Sequence, residues 1–165
     1  MRLEYPQKKH EQEYLEMIQE FIDNKEIVIP RPLGIDEGEN YDDLLERTKN
    51  NIEGKNLKNG HVKSTLYFIM NNEEQIIWAI HIRHELNDEL KFNWGNIGYG
   101  IKPSERKKGY ATIWLKLALE KCKELWLNKA LLTCKRDNIW SSKTIIKNWW
   151  IYDSEYEYEG KMKQR

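Results

Sequence analysis

The chain has 165 residues and a mass of 20.0 kDa, with 27 Lys and Arg against 27 Asp and Glu, so its formal charge is zero. That length suits one domain able to bury a core without disulfides or metal. The missing basic excess weighs against a nucleic-acid partner, whose phosphates are held chiefly by Lys and Arg. Two cysteines, Cys122 and Cys134, make no disulfide scaffold and are expected to stay reduced. The start, Met1 to Pro6, has no apolar signal core, and the apolar run Ile76 to Ile82 is far short of a bilayer span. A cytoplasmic protein with no membrane partner is the expectation.

Taken in chain order, Tyr14, Leu15, Ile18, Phe21 and Ile22 recur at helical spacing and predict a helix over His10 to Asn24. Tyr41, Leu44, Leu45, Thr48 and Ile52 predict a second, Tyr41 to Ile52, with Asn40 as its cap. Pro30, Pro32, Gly34 and Gly38 mark the loop between them, and residues 54 to 61 form another turn-rich stretch. Val62 to Met70 and Gln75 to Arg83 are β-branched and aromatic runs joined by Asn71 to Glu74, the pattern of a hairpin. A third strand, Ile97 to Lys102, stops at Pro103. The strongest helix follows, Lys108 to Leu125, with Ala111, Trp114, Leu115, Ala118, Leu119, Cys122 and Leu125 on one stripe. Ala130 to Cys134 reads as a short buried strand, so strand, helix and strand form a βαβ-type unit with parallel strands. Ser141 to Asn148 is a short helix capped by Ser141 or Asn138, and the last 15 residues are strand material.

Gly98 to Thr112 is the most informative stretch. A strand ends, Arg106, Lys107 and Lys108 supply positive charge, and Gly109 and Ala111 keep side chains small in the expected first helical turn. Amides there lack intrahelical partners and the helix dipole is positive, which suits a pyrophosphate. As residues alone the stretch reads equally as a solvated strand-to-helix turn. Neither a P-loop nor a Gly-x-Gly-x-x-Gly opening is present.

Arg106-Lys107-Lys108-Gly109-Tyr110-Ala111 resembles the [Arg/Gln]-x-x-Gly-x-[Gly/Ala] signature of the GNAT superfamily of N-acetyltransferases. The order of elements resembles that family over most of the chain, and Ile82 to Asn87, Gly98 to Thr112 and Thr133 to Asn148 look like a bacterial subgroup of predicted acetyltransferases. The resemblance implies an α+β three-layer fold: a mixed, largely antiparallel sheet, a parallel pair splayed at the cofactor site, and flanking helices. It implies one domain over residues 1 to 165, acetyl-CoA as cosubstrate and no metal. Backbone near Ile101 would meet the pantetheine arm, and the amides of Lys107, Lys108, Gly109, Tyr110, Ala111 and Thr112, with Arg106, the pyrophosphate. Asn138 and Lys143 stand where the family contacts the cofactor. Asn138 reads equally as a helix cap, and Lys143 as a solvated lysine.

Direct transfer needs a neutral amine. A lysine-like amine costs about 4.6 kcal/mol to deprotonate at pH 7, so a base is expected. His84, Glu85, Glu89 and Tyr99 are the candidates, His84 alone having an ordinary pKa near neutrality. The tyrosine acid that the family carries seven residues after Asn138 is replaced by Ile145, leaving Tyr99 or Tyr110 as substitutes. The acceptor, a small-molecule or peptide amine, would meet the loop Phe21 to Asn40, whose mixed charges select none. A monomer or homodimer is expected. A catalytically silent acyl-CoA sensor shares the cofactor residues and is the competing expectation. An aromatic stacking surface for nucleic acid or carbohydrate predicts exposed tryptophans, whereas Trp114 and Trp78 fall in apolar positions.

The tryptophans are themselves anomalous, 7 beside 9 Gly and 4 Ala in a chain whose Lys, Ile and Asn point to an AT-rich gene. Trp126 and Trp149 follow predicted helices at the C′ place that favours glycine, with Trp150 adjoining. In the subgroup resembled, glycine is expected at 78, 94, 126, 149 and 150 and fits at 140. The expectation is that UGA codons meaning glycine were read as Trp; UGG at these positions would refute it. The related proteins also continue their last strand beyond the place corresponding to Arg165.

Overall fold

The computed structural model describes residues 1–148 and 151–165, with the backbone alone at 111, 112 and 140. Trp149 and Trp150 lie outside the described residues, as does the side chain of Trp140. Four antiparallel strands form one sheet in the order β1 (Arg2–Glu4), β2 (Ser64–Met70), β3 (Ile76–Arg83) and β4 (Ile97–Ile101). A second sheet places β7 (Lys161–Gln164) between β5 (Cys134–Lys135) and β6 (Glu155–Tyr158). The helices are α1 (Glu11–Asp23), α2 (Tyr41–Glu53), α3 (Ala111–Glu124) and α4 (Ile139–Lys147).

β2 and β3 are buried on both faces, which is why they read as nearly continuous apolar runs. Tyr67, Ile69, Trp78, Ile80 and Ile82 point to Trp114, Leu115, Ala118 and Cys122 of α3. Leu66, Phe68, Met70 and Ala79 point the other way, to Tyr14, Met17 and Phe21 of α1 and Tyr41 and Leu44 of α2. The sheet therefore separates two apolar cores. Helix α2 begins as expected at Asn40, whose side chain accepts from Asp42 N and Asp43 N while Asp43 reaches back to Asn40 N.

Three expectations change. Strand β1 is only three residues long, too short for a period, and was not expected. Helix α3 starts at Ala111, not Lys108, because Lys107 and Gly109 take φ of +63° and +81°, values that right-handed helix excludes. Of Ala130 to Cys134, only Cys134 enters a ladder, and that ladder is antiparallel with β7. Between β4 and β5 the bonds are confined to one end: Asn96 N–H donates to Leu131 O at 2.7 Å, and Leu131 N–H to Asn96 Oδ1 at 2.8 Å. Beyond Asn96 the two segments enter different sheets, so β4 and β5 part there and no ladder among the described residues closes the cleft between them.

Candidate active site

Where β4 and β5 part, β4 runs on into the loop from Lys102 to Tyr110 and α3, and β5 into α4. The loop opens on a 3-10 turn, Pro103–Glu105, and the left-handed residues Lys107 and Gly109 swing the chain into α3. Among the described residues the N–H groups of Lys107, Lys108 and Gly109 have no acceptor. A Cβ added at Gly109 would meet nothing within 4 Å. Small, open and rich in unpartnered amides, this turn fits an anion brought to the backbone.

The side chains of the basic cluster are more committed than the sequence suggests. Arg106 makes a bidentate pair with Glu26 at 2.7 and 2.6 Å, and Lys108 pairs with Glu105 at 2.7 Å. Lys102, nearly buried, lies 3.3 Å from Glu20, which also accepts from Ser104 N and Oγ at 3.0 Å. Arg106 holds the Glu26 carboxyl below the usual carboxylate range. Glu20 and Glu26 are neighbours of this loop that sequence spacing does not reveal, because they come from the end of α1 and from the loop after it.

Tyr99 faces α3 and α4. Its ring packs 4.0 Å from Trp114 and its hydroxyl bonds Ser141 Oγ of α4. Burial pushes its phenol above the ordinary value, so it stays protonated. Tyr110 packs 6.3 Å from Trp78. Asn138 accepts from Ser141 N at 3.1 Å and so caps α4, while Lys143 is exposed on the same helix. Ile145, at the place of the missing acid, packs into the core beside α3.

The other expected candidates are not brought here. His84 lies beyond the far end of β3, bonded to Thr65 Oγ1 at 2.8 Å, and burial lowers its pKa. It is six strand residues, roughly 20 Å, from Trp78, which pairs with Ile101. Glu85 and Glu89 are exposed beyond that same end. His81, not singled out by sequence, pairs with Gly98 and therefore shares its face. That face looks to the α1–α2 loop: a Cβ on Gly98 would touch Pro30, and one on Gly100 would overlap the Ile29 carbonyl. Among the described residues both His81 ring nitrogens lack partners, and complete burial keeps the imidazole neutral.

The architecture has helices on both faces of the β1–β4 sheet, β4 and β5 parting into different sheets, and an amide-rich turn before α3. A variant of spermidine N-acetyltransferase from Vibrio cholerae superposes with a TM-score of 0.66 at 16% identity, over 99% of this chain and 92% of that one. The fold is that of the GNAT N-acetyltransferases. The same Vibrio enzyme in complex with CoA and spermine gives 0.64 at 14% identity, covering 99% and 92%. A Vibrio cholerae protein described as a ribosomal-protein-serine acetyltransferase gives 0.61 at 13%, covering 98% and 90%. No family model matches the sequence, and no curated protein does.

Proposed function

We propose that this protein is an N-acetyltransferase that moves an acetyl group from acetyl-CoA to a primary amine by direct transfer. The carrying observation is the open, left-handed turn at Lys107–Gly109, which follows β4 where β4 and β5 lie in different sheets. The fold shared with N-acetyltransferases, one of them in complex with CoA and spermine, supports it.

Acetyl-CoA supplies the activated acetyl thioester. The amides of Lys107 to Thr112 would hold its pyrophosphate, with Arg106 adding charge once Glu26 yields, and β4 backbone near Ile101 would line the pantetheine arm. Asn138 holds α4 in place, and Lys143 stands on the wet side of that helix. On the opposite face, the α1–α2 loop closes on Gly98 and Gly100 and would orient the amine. His81 lies on that face, but the burial that keeps its imidazole neutral also opposes its taking up a proton, so the amine proton leaves to solvent. Tyr99, still protonated at neutral pH, can return a proton to the departing thiolate and so takes over the role that Ile145 cannot fill. His84, held by Thr65 outside the cleft, fits a structural role on β3.

Isothermal titration with acetyl-CoA, followed by an amine panel with free thiol as readout, tests this reading. Binding with amine-dependent thiol release is expected. Binding without release on any amine would favour the silent sensor, and no binding would defeat both.

A further inference from the structure

Arg83 closes β3 and is partly buried, yet among the described residues no carboxylate pairs with it. Its side chain makes one hydrogen bond there, from Nη1 to Gly95 O at 3.0 Å, so the N–H groups of Nε and Nη2 are left over. The backbone beneath is pinned: Arg83 N–H donates to Asn96 O at 2.8 Å, and Arg83 O accepts from Asn96 Nδ2 at 3.1 Å. Alternation along the ladder puts His81 on the same face as Arg83, and Ser64, the partner of Arg83 on β2, on that face as well. Further along, this face carries Leu66, Phe68 and Ala79. Its apolar surface thus gives way to polar side chains at the Arg83 end. Both His81 ring nitrogens are buried without a partner, and the charges acting on that ring, Arg83 with the protonated forms of His61 and His84, are all of one sign.

A guanidinium drawn partly out of water with no counter-charge is costly, and burial accordingly lowers the Arg83 pKa to about 10 with no acid opposing it. Such an uncompensated charge, held on a rigid strand, is a feature that binding sites keep. The groups left over are mainly donors: Nε and Nη2 of Arg83, the Ser64 hydroxyl and one N–H of His81. One guanidinium beside a neutral imidazole balances one negative charge. A planar pair of oxygens carrying that charge is a carboxylate, which takes two parallel bonds from a guanidinium. The stretch Ile82 to Asn87, singled out by its resemblance to the bacterial subgroup and given no part in acetyl transfer, contains this arginine.

We propose that Arg83 anchors a subsite for a carboxylate, flanked by Ser64 and His81, and that the acceptor is therefore an amine that also carries a carboxylate. The second half rests on the acetyl-transfer reading, through the α1–α2 loop that meets this face at Gly98, directly across from His81. The first half does not depend on it. The guanidinium is only partly covered, so the carboxylate reaches Nε and Nη2 while Nη1 keeps its bond to Gly95.

Titration of the wild-type protein and Arg83→Gln with sodium propionate at constant ionic strength, without CoA, tests the subsite, with propionamide as the neutral isostere. Glutamine keeps an N–H donor for Gly95 O and removes the charge. Wild type is expected to bind propionate and ignore propionamide, and Arg83→Gln to bind propionate at least about tenfold more weakly. Equal binding by wild type and Arg83→Gln, or equal binding of propionamide, overturns the subsite. If Arg83→Gln does not fold, the wild-type NMR resonance of Arg83 Nε–H decides: it is expected to move downfield with propionate and not with propionamide, and no movement overturns the proposal. With acetyl-CoA present, ω-amino acids are expected to exceed n-alkylamines of equal chain length about tenfold in kcat/KM, a preference that Arg83→Gln loses. Equal rates for the two series overturn the acceptor assignment. Propionate binding alongside a failed acetyl-CoA titration would refute acetyl transfer and keep the subsite, and the reverse pair of results would do the opposite.

Discussion

Trp126 takes φ +61° immediately after α3, with Trp126 N–H donating to Lys123 O and Leu127 N–H to Cys122 O. These two bonds are a Schellman ending, in which the C′ residue is usually glycine. The indole is 89% exposed and so gains little by burial to offset the left-handed backbone. Lys25 stands at the same place after α1 with φ +55°, so a side chain there is tolerated at a cost. Trp78 and Trp114 present the opposite difficulty: both are buried, and neither indole N–H finds an acceptor among the described residues, although buried indoles usually do. Trp126→Gly is expected to stabilise the fold by about 1 kcal/mol, read from the urea midpoint at constant slope. An unchanged or lower midpoint would count against glycine at this position. Tyr99 carries a different expectation. Tyr99→Phe keeps the ring against Trp114 but loses the proton and the bond to Ser141, so kcat should fall about 100-fold while acetyl-CoA affinity holds.

The loop between β4 and α3 is stapled to α1 and the loop after it by acids, and that staple governs how much positive charge reaches the cleft. Arg106 lowers the Glu26 pKa through its bidentate bond, so the pair contributes fully above the ordinary carboxylate pKa, about 4.3, and is lost as pH falls through the lowered folded value. Both groups are about one-third exposed, which limits the pair to about 1 kcal/mol in salt. Glu26→Gln frees Arg106 and is expected to tighten acetyl-CoA binding roughly fivefold, by the same 1 kcal/mol. Weaker binding would mean that Glu26 positions Arg106 rather than withholding it. This layer was the least legible in the sequence. Helices α1 and α2, the β2–β3 hairpin and the Asn40 cap follow from local periodicity and capping chemistry, and the signature turn follows from its glycine and charges. The partners Glu20 and Glu26 lie about 80 residues from the loop they neutralise, and the His81 environment depends on which face of β3 meets the α1–α2 loop. Such facts belong to long-range packing, which spacing does not encode.

At the scale of the whole molecule, two sheets share one narrow join. Asn96 is almost completely buried and links three segments: its N–H donates to Leu131 O, its Oδ1 accepts from Leu131 N–H, and its Nδ2 donates to Arg83 O at 3.1 Å. Gly95, just before it, has φ +63° and no room for a Cβ against the Leu131 carbonyl, so the chains can approach this closely only because that residue is glycine. Among the described residues every other ladder bond runs within one sheet. Asn96→Ala removes the side-chain partners of two half-buried backbone groups, Leu131 N–H and Arg83 C=O. Destabilisation of about 2–4 kcal/mol is expected, with the Leu131 amide losing hydrogen-exchange protection before those of β2 and β3. If the join also sets the width of the cleft, the folded variant should bind acetyl-CoA more weakly than Trp126→Gly, which leaves the join intact. An Asn96→Ala protein that is destabilised but binds acetyl-CoA as the parent does would place control of the cleft in α3 and α4 instead.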